Sequence, residues 1–481
     1  MIILDRKNNE PLYMQIYAQI KEEILNGIIK EGQVLNGIIK EGQVLTGSRG
    51  LAGILGVSRN TVNSAYGQLA AEGYIIPQKG IGYTAAKVPE LTVSRERPVQ
   101  ARLKQAMPVE RKQPDILYDL TNSSQTSDLF PKRFWKRCTL ECLDMLENEA
   151  RISSCQDKQG ELYLRKNLLS YLQRIRGVSC DEDQIIITCG IQQSLDYLCR
   201  LFPPGRQTIL MEEPGFHKAA AVFSNNNINV QKVPVDEHGI VVSKLPRVSD
   251  ACAVYSTPSH QFPTGVTLSA GRRYELLEWA QKNDAFIMED DFDSEFRYYS
   301  KPIPALQSID RDDRVIYLGT FSKALSPSVR MGYMILPPKL LKAYFHRFEN
   351  YNSTVPLLNQ YVIARLIETG QYDRHVRRLN HIFRRRLERF SEELADVKDR
   401  IEISGNGTGQ YFLLKFAGQA DQNELIRKAL ERGVKVYPTM QFWQEKAACP
   451  PNSLFLGFAK ISLEDIPDCV ERLRAAWKEW I

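Results

Sequence analysis

The chain has 481 residues, of which 43% are hydrophobic and 25% are charged, so it is long enough for two or three domains with sizeable cores. The net charge of +6 permits contact with nucleic acid without requiring it, and nine cysteines without a Cys-x-x-Cys pair fit neither a disulfide framework nor a zinc site. No apolar run approaches the roughly 20 residues of a membrane span and no signal-peptide pattern opens the chain, so we expect a cytoplasmic protein without membrane segments.

The first 84 residues are predicted to form a small helical domain with a hairpin. Apolar residues at helical spacing predict a helix from about Pro11 to Asn26: Leu12, Ile16, Ile20, Ile24 and Leu25. A second, short helix is predicted over residues 48–55. After a turn, a third helix begins at Ser58, whose hydroxyl is a good N-cap.

The third predicted helix has a buried face and an exposed face. The buried stripe comprises Val62, Ala65, Tyr66 and Leu69. Its first turns expose Arg59, Asn60, Thr61, Asn63 and Ser64, where a recognition helix meets DNA. Apolar residues on both sides of Lys79 and Gly80 predict a small hairpin over residues 74–84. A helical domain that binds another protein remains an alternative, because basic and acidic side chains are nearly balanced here.

This stretch resembles the winged helix-turn-helix of the GntR family. The resemblance is carried by the run from Leu55 to Val62, by Glu72-Gly73-Tyr74 and by the hairpin around Gly80. It implies binding to operator DNA. The residues that it implies near the DNA are Arg49, Ser58, Arg59 and Thr61, with Lys79 at the wing.

One segment departs from that family. The ten residues from Asn26 to Leu35 are repeated without change from Asn36 to Leu45, where the family carries one copy. Closing a longer loop costs little free energy, so we expect the domain to fold despite the extra copy. Residues 85–114 then lose helical periodicity and gain prolines and basic side chains, which predicts a solvated linker that keeps two domains apart or adds nonspecific attraction to DNA.

From residue 115 to 481, strand patterns alternate with helical patterns, which predicts an α/β fold with a mostly parallel sheet. The apolar runs 286–288 and 315–319 read as buried strands. Asp290 follows the first run and Lys323 follows the second. Ligands of such sheets bind beyond the carboxyl ends of the strands, so we expect these two side chains to share one site.

The residues at this edge match the needs of pyridoxal 5′-phosphate. Lys323 can form a Schiff base with its aldehyde, Asp290 can keep its ring nitrogen protonated, and Arg330 can bind its phosphate. The glycine turn of Gly190, Ile191 and Gln192 opens a helix whose backbone amides can hold the phosphate as well. Acidic residues and lysines are common at the ends of strands. The prediction therefore depends on finding a lysine and a carboxylate together at one edge of the sheet.

Two further residues are candidates on weaker grounds. Phe216, which follows another strand, can stack on a pyridine ring or fill the core. His260 lies in a loop built from turn-forming residues, 257–265, and can face the cofactor.

Together these motifs resemble fold type I aminotransferases, and their combination with the N-terminal domain resembles the MocR/GabR group of transcriptional regulators. The resemblance implies a large domain, a smaller C-terminal α+β domain from about residue 345 to 481, and a head-to-tail homodimer. It also implies that Lys323 holds pyridoxal phosphate covalently and that Asp290 pairs with the ring nitrogen. Phosphate contacts are implied for Thr320, Ser322, Arg330 and the turn at Gly190.

Two features distinguish this chain from the group. Phe292 stands where a tyrosine is usual, so a hydrogen bond to the phenolic oxygen of the cofactor is missing. Lys218 and Gln441 lie where we expect effector contacts, but neither region shows the arginine pair that would bind a carboxylate at two points.

Three functions remain open from the sequence. The leading one is a transcription factor that binds operator DNA and responds to an amine, an amino acid or a vitamin B6 vitamer, with little or no turnover. The second is a working aminotransferase with an attached DNA-binding domain. The third is a DNA-binding protein whose large domain holds no cofactor.

Overall fold

A computed structural model describes residues 2–6, 9–29, 44–80, 82–87, 115–121, 126–246, 251–405 and 407–481, apart from the side chains of 26–29. The chain divides into two compact units, Met1–Arg111 and Lys112–Ile481. Most of the tandem repeat and of the predicted linker lies outside the described residues. Within the described part, no helix is long and apolar enough to cross a membrane.

In its described residues, the first unit contains three helices and a two-stranded hairpin. Its elements are α1 (Leu12–Ile29), α2 (Ser48–Leu55), α3 (Arg59–Ala71), β1 (Ile75–Gln78) and β2 (Gly82–Ala85). The two strands pair antiparallel. The prediction of three helices and a hairpin is therefore confirmed, and α1 extends three residues past the predicted end at Asn26.

A capping hydrogen bond and a buried apolar stripe account for where α3 begins and how it packs. The hydroxyl of Ser58 accepts a hydrogen bond from the backbone N–H of Thr61 at 3.1 Å, as an N-cap should. The predicted stripe of Val62, Ala65, Tyr66 and Leu69 is buried against α1 and α2. The Tyr66 hydroxyl also donates to the backbone carbonyl of Thr46 at 2.7 Å, which ties α3 to the segment before α2.

The second unit is built on an eight-stranded sheet. In chain order its strands are β4 (Ile185–Thr188), β5 (Thr208–Glu213), β6 (Asn229–Asp236), β7 (Gly239–Ile240), β8 (Ala251–Ser256), β9 (Phe286–Asp291), β10 (Val315–Thr320) and β11 (Gly332–Ile335). Their spatial order is β4-β11-β10-β9-β8-β5-β6-β7, with only β11 and β7 antiparallel to their neighbours. The predicted mostly parallel sheet is confirmed.

Helices cover both faces of this sheet. The helices of this part are α4 (Lys132–Asn148), α5 (Leu162–Arg176), α6 (Ile191–Leu201), α7 (His217–Asn225), α8 (Ala270–Lys282) and α9 (Pro338–Arg347). Within β4, Ile186 packs toward one face while Ile185 and Ile187 pack toward the other. Strands buried on both faces read as continuous apolar runs, which is the pattern that identified them in the sequence.

A smaller antiparallel sheet forms the C-terminal part of the unit. Its strands are β12 (Ile401–Ser404), β13 (Tyr411–Phe416), β15 (Tyr437–Pro438) and β16 (Ser453–Gly457). A short parallel pair joins β3 (Tyr118–Asp119) to β14 (Val434–Lys435). The accompanying helices are α10 (Leu357–Glu368), α11 (Gln371–Glu393), α12 (Gln422–Glu431) and α13 (Ile466–Ala476).

Candidate functional site

A cavity of about 400 Å³ lies at the carboxyl edge of the eight-stranded sheet. Its walls include every cofactor residue predicted from the sequence except His260: Gly190, Ile191, Gln192, Phe216, Asp290, Phe292, Thr320, Ser322, Lys323 and Arg330. These residues lie at the ends of β4, β5, β9 and β10 or in the segments that follow them. The parallel pairing of β9 with β10 brings Asp290 and the Lys323 loop to the same edge.

Lys323 follows β10 and lines the cavity with its side chain partly buried. Its backbone carbonyl accepts a hydrogen bond from the Gln410 amide at 3.1 Å, which fixes the loop from the side of the small sheet. Burial lowers the pKa of the Lys323 amine to about 8, with Asp293 opposing the shift and Lys218 adding to it. A larger neutral fraction makes this amine a better nucleophile than an ordinary lysine.

Asp290 is buried at the end of β9 and has one oxygen without a partner. The Tyr255 hydroxyl, on the neighbouring β8, donates to Oδ2, whereas Oδ1 has no hydrogen bond. Burial raises the pKa of Asp290 to about 7, and the nearby Asp291 and Asp293 add to the shift. A cationic N–H group placed against Oδ1 would satisfy the oxygen and hold the carboxylate charged.

Another part of the cavity is suited to an anion. Gly190, with φ of +91°, precedes α6, and a Cβ at this position would lie 3.4 Å from the guanidinium of Arg330. Arg330 itself has φ of +50° and donates to the carbonyl of Cys189 at 2.8 Å. The backbone N–H groups at the start of α6 therefore adjoin a guanidinium, an arrangement that binds phosphate.

The hydroxyls of Thr320 and Ser322 lie beside this anion-binding part. Thr320 Oγ1 donates to Ser322 Oγ at 3.0 Å and accepts from the Ser322 backbone N–H at 3.1 Å. Both residues line the cavity. The two hydroxyls hold each other in place and leave lone pairs and a proton for a ligand.

His260, which the sequence predicts to face the cofactor, is buried next to the cavity residue Phe292 and is not itself among the residues that line the cavity. Its Nδ1 contacts both carboxylate oxygens of Asp293, at 2.8 and 2.9 Å, and its ring stacks on Phe292 with centroids 6.0 Å apart. Gly409 packs closely on the other side, where a Cβ would come within 2.3 Å of the imidazole. The side chain thus orients Asp293 and supports Phe292.

Several cavity residues were not identified from the sequence. They are Thr121, His217, Tyr255, Thr257, Phe262, Pro327, Tyr437, Phe442 and Phe455. Tyr437, Phe442 and Phe455 come from the small C-terminal sheet and its loops. An alternating apolar pattern marks such residues as core, and nothing in the pattern distinguishes a cavity wall from a filled core.

Lys218 and Gln441, the predicted effector positions, both line the cavity. Gln441 donates to the carbonyl of Pro438 at 3.0 Å, while Lys218 is exposed. Among the described residues, the guanidinium in this cavity is that of Arg330. A paired-arginine site for a carboxylate is therefore absent from these walls.

In the first unit, the residues predicted to contact DNA lie on its surface. Arg49, Ser58, Arg59 and Lys79 are exposed and Thr61 is partly buried. Arg59 Nε lies 3.4 Å from Ser48 Oγ, so the beginnings of α2 and α3 are close together. Lys79 lies in the turn between β1 and β2. The hydroxyls of Ser58 and Thr61 bond each other at 2.8 Å at the first turn of α3.

The cavity in the second unit has the groups that pyridoxal phosphate requires: the Lys323 amine, the Asp290 carboxylate and the anion-binding part beside Arg330. The fold around it is that of fold type I pyridoxal-phosphate proteins, and the same chain carries a winged helix-turn-helix unit. Comparisons with known proteins agree. The family model of aminotransferase class I and II matches residues 130–473. The kynurenine aminotransferase of Pyrococcus horikoshii has the same fold, with a TM-score of 0.68, 26% identity, and coverage of 80% of this chain and 95% of its own.

Relatives that match almost the full length are transcriptional regulators. The HTH-type transcriptional regulator YhdI of Bacillus subtilis is 36% identical over 98% of this chain and 97% of its own length. The probable rhizopine catabolism regulatory protein MocR of Rhizobium meliloti is 30% identical over 99% of this chain and 96% of its own. The chain belongs to this MocR-type family of HTH transcriptional regulators with an aminotransferase-like domain. Its cofactor is pyridoxal 5′-phosphate, which the charges and free atoms of the cavity fit.

Proposed function

We propose that this regulator senses a small amine-bearing molecule in the Lys323 cavity and changes its affinity for operator DNA in response. The single observation that carries the proposal is that one cavity joins the cofactor residues to Lys218 and Gln441. Bound pyridoxal phosphate supplies an aldehyde that an amine can capture. Lys218 and Gln441 line the same cavity, so an effector bound there can contact them.

In this proposal, different side chains of the cavity bind different parts of the cofactor. Asp290 holds the protonated ring nitrogen, and Phe216 and Phe292 enclose the ring. Arg330, Thr320, Ser322 and the amides of residues 190–192 bind the phosphate. Lys323 would hold the cofactor through its side-chain nitrogen, and that amine would be released when an effector amine forms the same bond. Its lowered pKa of about 8 leaves a neutral fraction of the amine that can take part in both directions.

The residues proposed to contact DNA are Arg49, Ser58, Arg59, Thr61 and Lys79. The protein is proposed to act as a homodimer, in which two copies of the chain are arranged head to tail. Such a protein acts in the cytoplasm, where operator DNA lies. For the effector to regulate, it must bind one arrangement of the dimer more tightly than another. An amine, an amino acid and a vitamin B6 vitamer all stay candidates, although the lack of an arginine pair argues against a carboxylate clamp.

The first test concerns the cofactor. Protein mixed with pyridoxal phosphate should show a visible absorption band, and borohydride should fix the cofactor on a peptide that contains Lys323. The variant Lys323→Ala should lose the band and the labelled peptide. The control Lys428→Ala, at a partly buried lysine outside the cavity that pairs with Glu479 at 3.1 Å, should keep both. Retention of the band in Lys323→Ala would contradict the proposal.

The second test separates regulator from enzyme. DNA bound by the protein is first selected in vitro, and its affinity is then measured with pyridoxal phosphate and with each class of effector. A change in DNA affinity without multiple turnovers supports the regulator. Stoichiometric conversion of amino donor and keto acceptor over many cycles, with DNA affinity unchanged, would favour the aminotransferase instead.

A further inference from the structure

A second, smaller cavity of about 130 Å³ adjoins the cofactor cavity. The two share His217, Gln441 and Phe442 as walls. The second cavity is otherwise lined by residues at the end of β5 and by the loop that follows Gln441, including Glu213 and Lys446. The second cavity thus lies next to the cofactor cavity, and these three shared side chains border both.

Glu213 supplies this space with an unused acceptor. The side chain is buried, with 8% of its surface exposed. Its Oε1 accepts hydrogen bonds from the backbone N–H groups of Gln444 and Glu445, both at 2.8 Å, which fix the carboxylate in place. Its Oε2 is buried and has no hydrogen-bond partner among the residues that the structure describes. A buried carboxylate oxygen without a donor is costly unless a ligand or water provides one.

His217, the first residue of α7, adds a second unused polar atom. Its Nδ1 is buried and has no partner. Burial lowers the pKa of the imidazole, and the charges of Lys218 and Lys446 lower it further, so the ring is neutral near pH 7. A neutral imidazole can accept or donate one hydrogen bond at this atom, depending on its tautomer.

The other charged groups around the second cavity are already engaged. The Lys446 ammonium donates to the carbonyls of Met440 and Trp443, at 2.8 and 2.6 Å. The carboxylate of Glu212 accepts from Ser256, Thr257 and Gln261. Among the described residues of this cavity, the unpartnered polar atoms are thus Glu213 Oε2 and His217 Nδ1, and the carboxylate oxygen of Glu213 can accept only from a donor such as N–H.

We propose that the second cavity binds the far end of the effector, and that this end carries an N–H donor such as an ammonium group. The effector class is then a primary amine with a second nitrogen, of which diamines are the simplest members. This inference rests on the function proposed above, because the first amine is the one that reacts at the Lys323 site. Water is the competing occupant, since a cavity of this size also accommodates a few water molecules.

The experiment compares matched amines on the protein loaded with pyridoxal phosphate. Linear alkane diamines of three to six carbons are each titrated against the monoamine that has a methyl group in place of the second ammonium, and the shift of the visible band gives the affinity. We expect the best diamine to bind at least about tenfold more tightly than its monoamine, as a charge-assisted hydrogen bond provides. The same diamine should change affinity for the selected DNA at lower concentration than the monoamine.

Two variants locate the effect. Glu213→Gln keeps an oxygen for the two backbone N–H groups but removes the charge and turns the free acceptor into a donor, so the preference for the diamine should fall to about twofold or less. Glu445→Gln removes a charge from the same loop outside the cavity, where Glu445 pairs with Lys232 at 3.2 Å, and should keep the preference. Intensity of the visible band before titration shows that each variant has folded and bound the cofactor.

Three results would overturn the inference. Equal affinity for diamines and monoamines in the parent protein would show that water occupies the second cavity. A preference that survives Glu213→Gln would place the donor site elsewhere. Absence of any spectral or DNA-binding response to amines of either kind would reject amine sensing as well, and this result differs from the first because the monoamines also fail.

Discussion

The second unit buries several charged side chains, whereas the charged side chains of the first unit, among the residues that the structure describes, are at least partly exposed. In the first unit, the basic residues proposed for DNA contact are exposed, and the Lys21–Glu72 ion pair has about a third of each side chain in solvent, 30% and 31%. In the second unit, Arg176 and Asp291 form an ion pair with side chains that are each 2% exposed. Asp290, Glu289 and Glu212 are buried nearby.

This difference in burial predicts that DNA binding by the first unit and ligand binding by the second respond to different solution conditions. Charges at a surface are screened by salt over roughly 10 Å at ordinary ionic strength, whereas buried charges are screened far less. DNA contact should therefore respond to salt. Cofactor and effector binding should respond to pH and to the removal of single buried partners.

The largest expected effect is the loss of a buried charge partner. Arg176→Ala leaves the Asp291 carboxylate uncompensated, because Arg176 Nε donates to Asp291 Oδ2 at 2.8 Å, and should lower the free energy of unfolding by about 3–5 kcal/mol. All five tryptophans lie in the second unit, so their fluorescence during urea unfolding reports on that unit. Arg427→Ala breaks a pair that is 56% exposed on both sides and should cost at most about 1 kcal/mol. Equal losses of unfolding free energy in Arg176→Ala and Arg427→Ala would contradict the expected difference between buried and exposed ion pairs.

The next effect concerns the exposed charges of the first unit. Arg59→Ala should weaken binding to selected DNA by about tenfold and reduce the salt dependence of the affinity by roughly one counterion. Binding is measured by fluorescence anisotropy over a range of salt concentrations, with Arg427→Ala as the control that leaves both quantities unchanged. A loss that is the same at every salt concentration would show that Arg59 does not act through its charge.

The pH dependence of cofactor loading should show a plateau. The pKa of Lys323 is lowered from 10.5 to about 8, so its reactive neutral form grows as pH rises and is nearly complete above the lowered value. Between about pH 7 and pH 9 the initial rate of cofactor attachment should increase roughly tenfold and then level off, whereas a lysine with an ordinary pKa would continue to gain. DNA binding should change little over this range, because arginine stays charged. A rate that still rises steeply above about pH 9 would contradict the lowered pKa.

The smallest effect is expected from the tandem repeat. Deleting residues 36–45 restores the single copy that is usual in the GntR family. Because added loop length costs on the order of 1 kcal/mol or less, the operator affinity should stay within a few fold of the parent or improve. The deletion is compared with the parent by anisotropy and by thermal unfolding. A large loss of affinity would instead assign the repeat a role in DNA binding.

Features set by local sequence were predictable. The helices of the first unit follow from apolar spacing, and Ser58 was identified as the N-cap because capping needs only a hydroxyl at the right place. Asp290 and Lys323 were predicted together because parallel strands end at one edge, a rule that requires no knowledge of side-chain packing.

Features set by the packing of distant segments were not predictable. Tyr255 lies in the middle of an apolar strand, and only the alignment of β8 with β9 shows that its hydroxyl meets Asp290. His260 was expected at the cofactor, but the direction of a loop side chain depends on neighbours such as Asp293 and Gly409. The free oxygen of Glu213 likewise depends on backbone groups more than 200 residues later in the chain.

The walls of the cofactor cavity come from two different sheets. Asp290 and the Lys323 loop belong to the eight-stranded sheet, whereas Tyr437 and Phe455 belong to the four-stranded one. A ligand that fills this cavity therefore meets side chains of both sheets. Substitutions in the four-stranded sheet, far from Lys323 in the sequence, should consequently alter which ligands fit while the cofactor residues stay unchanged.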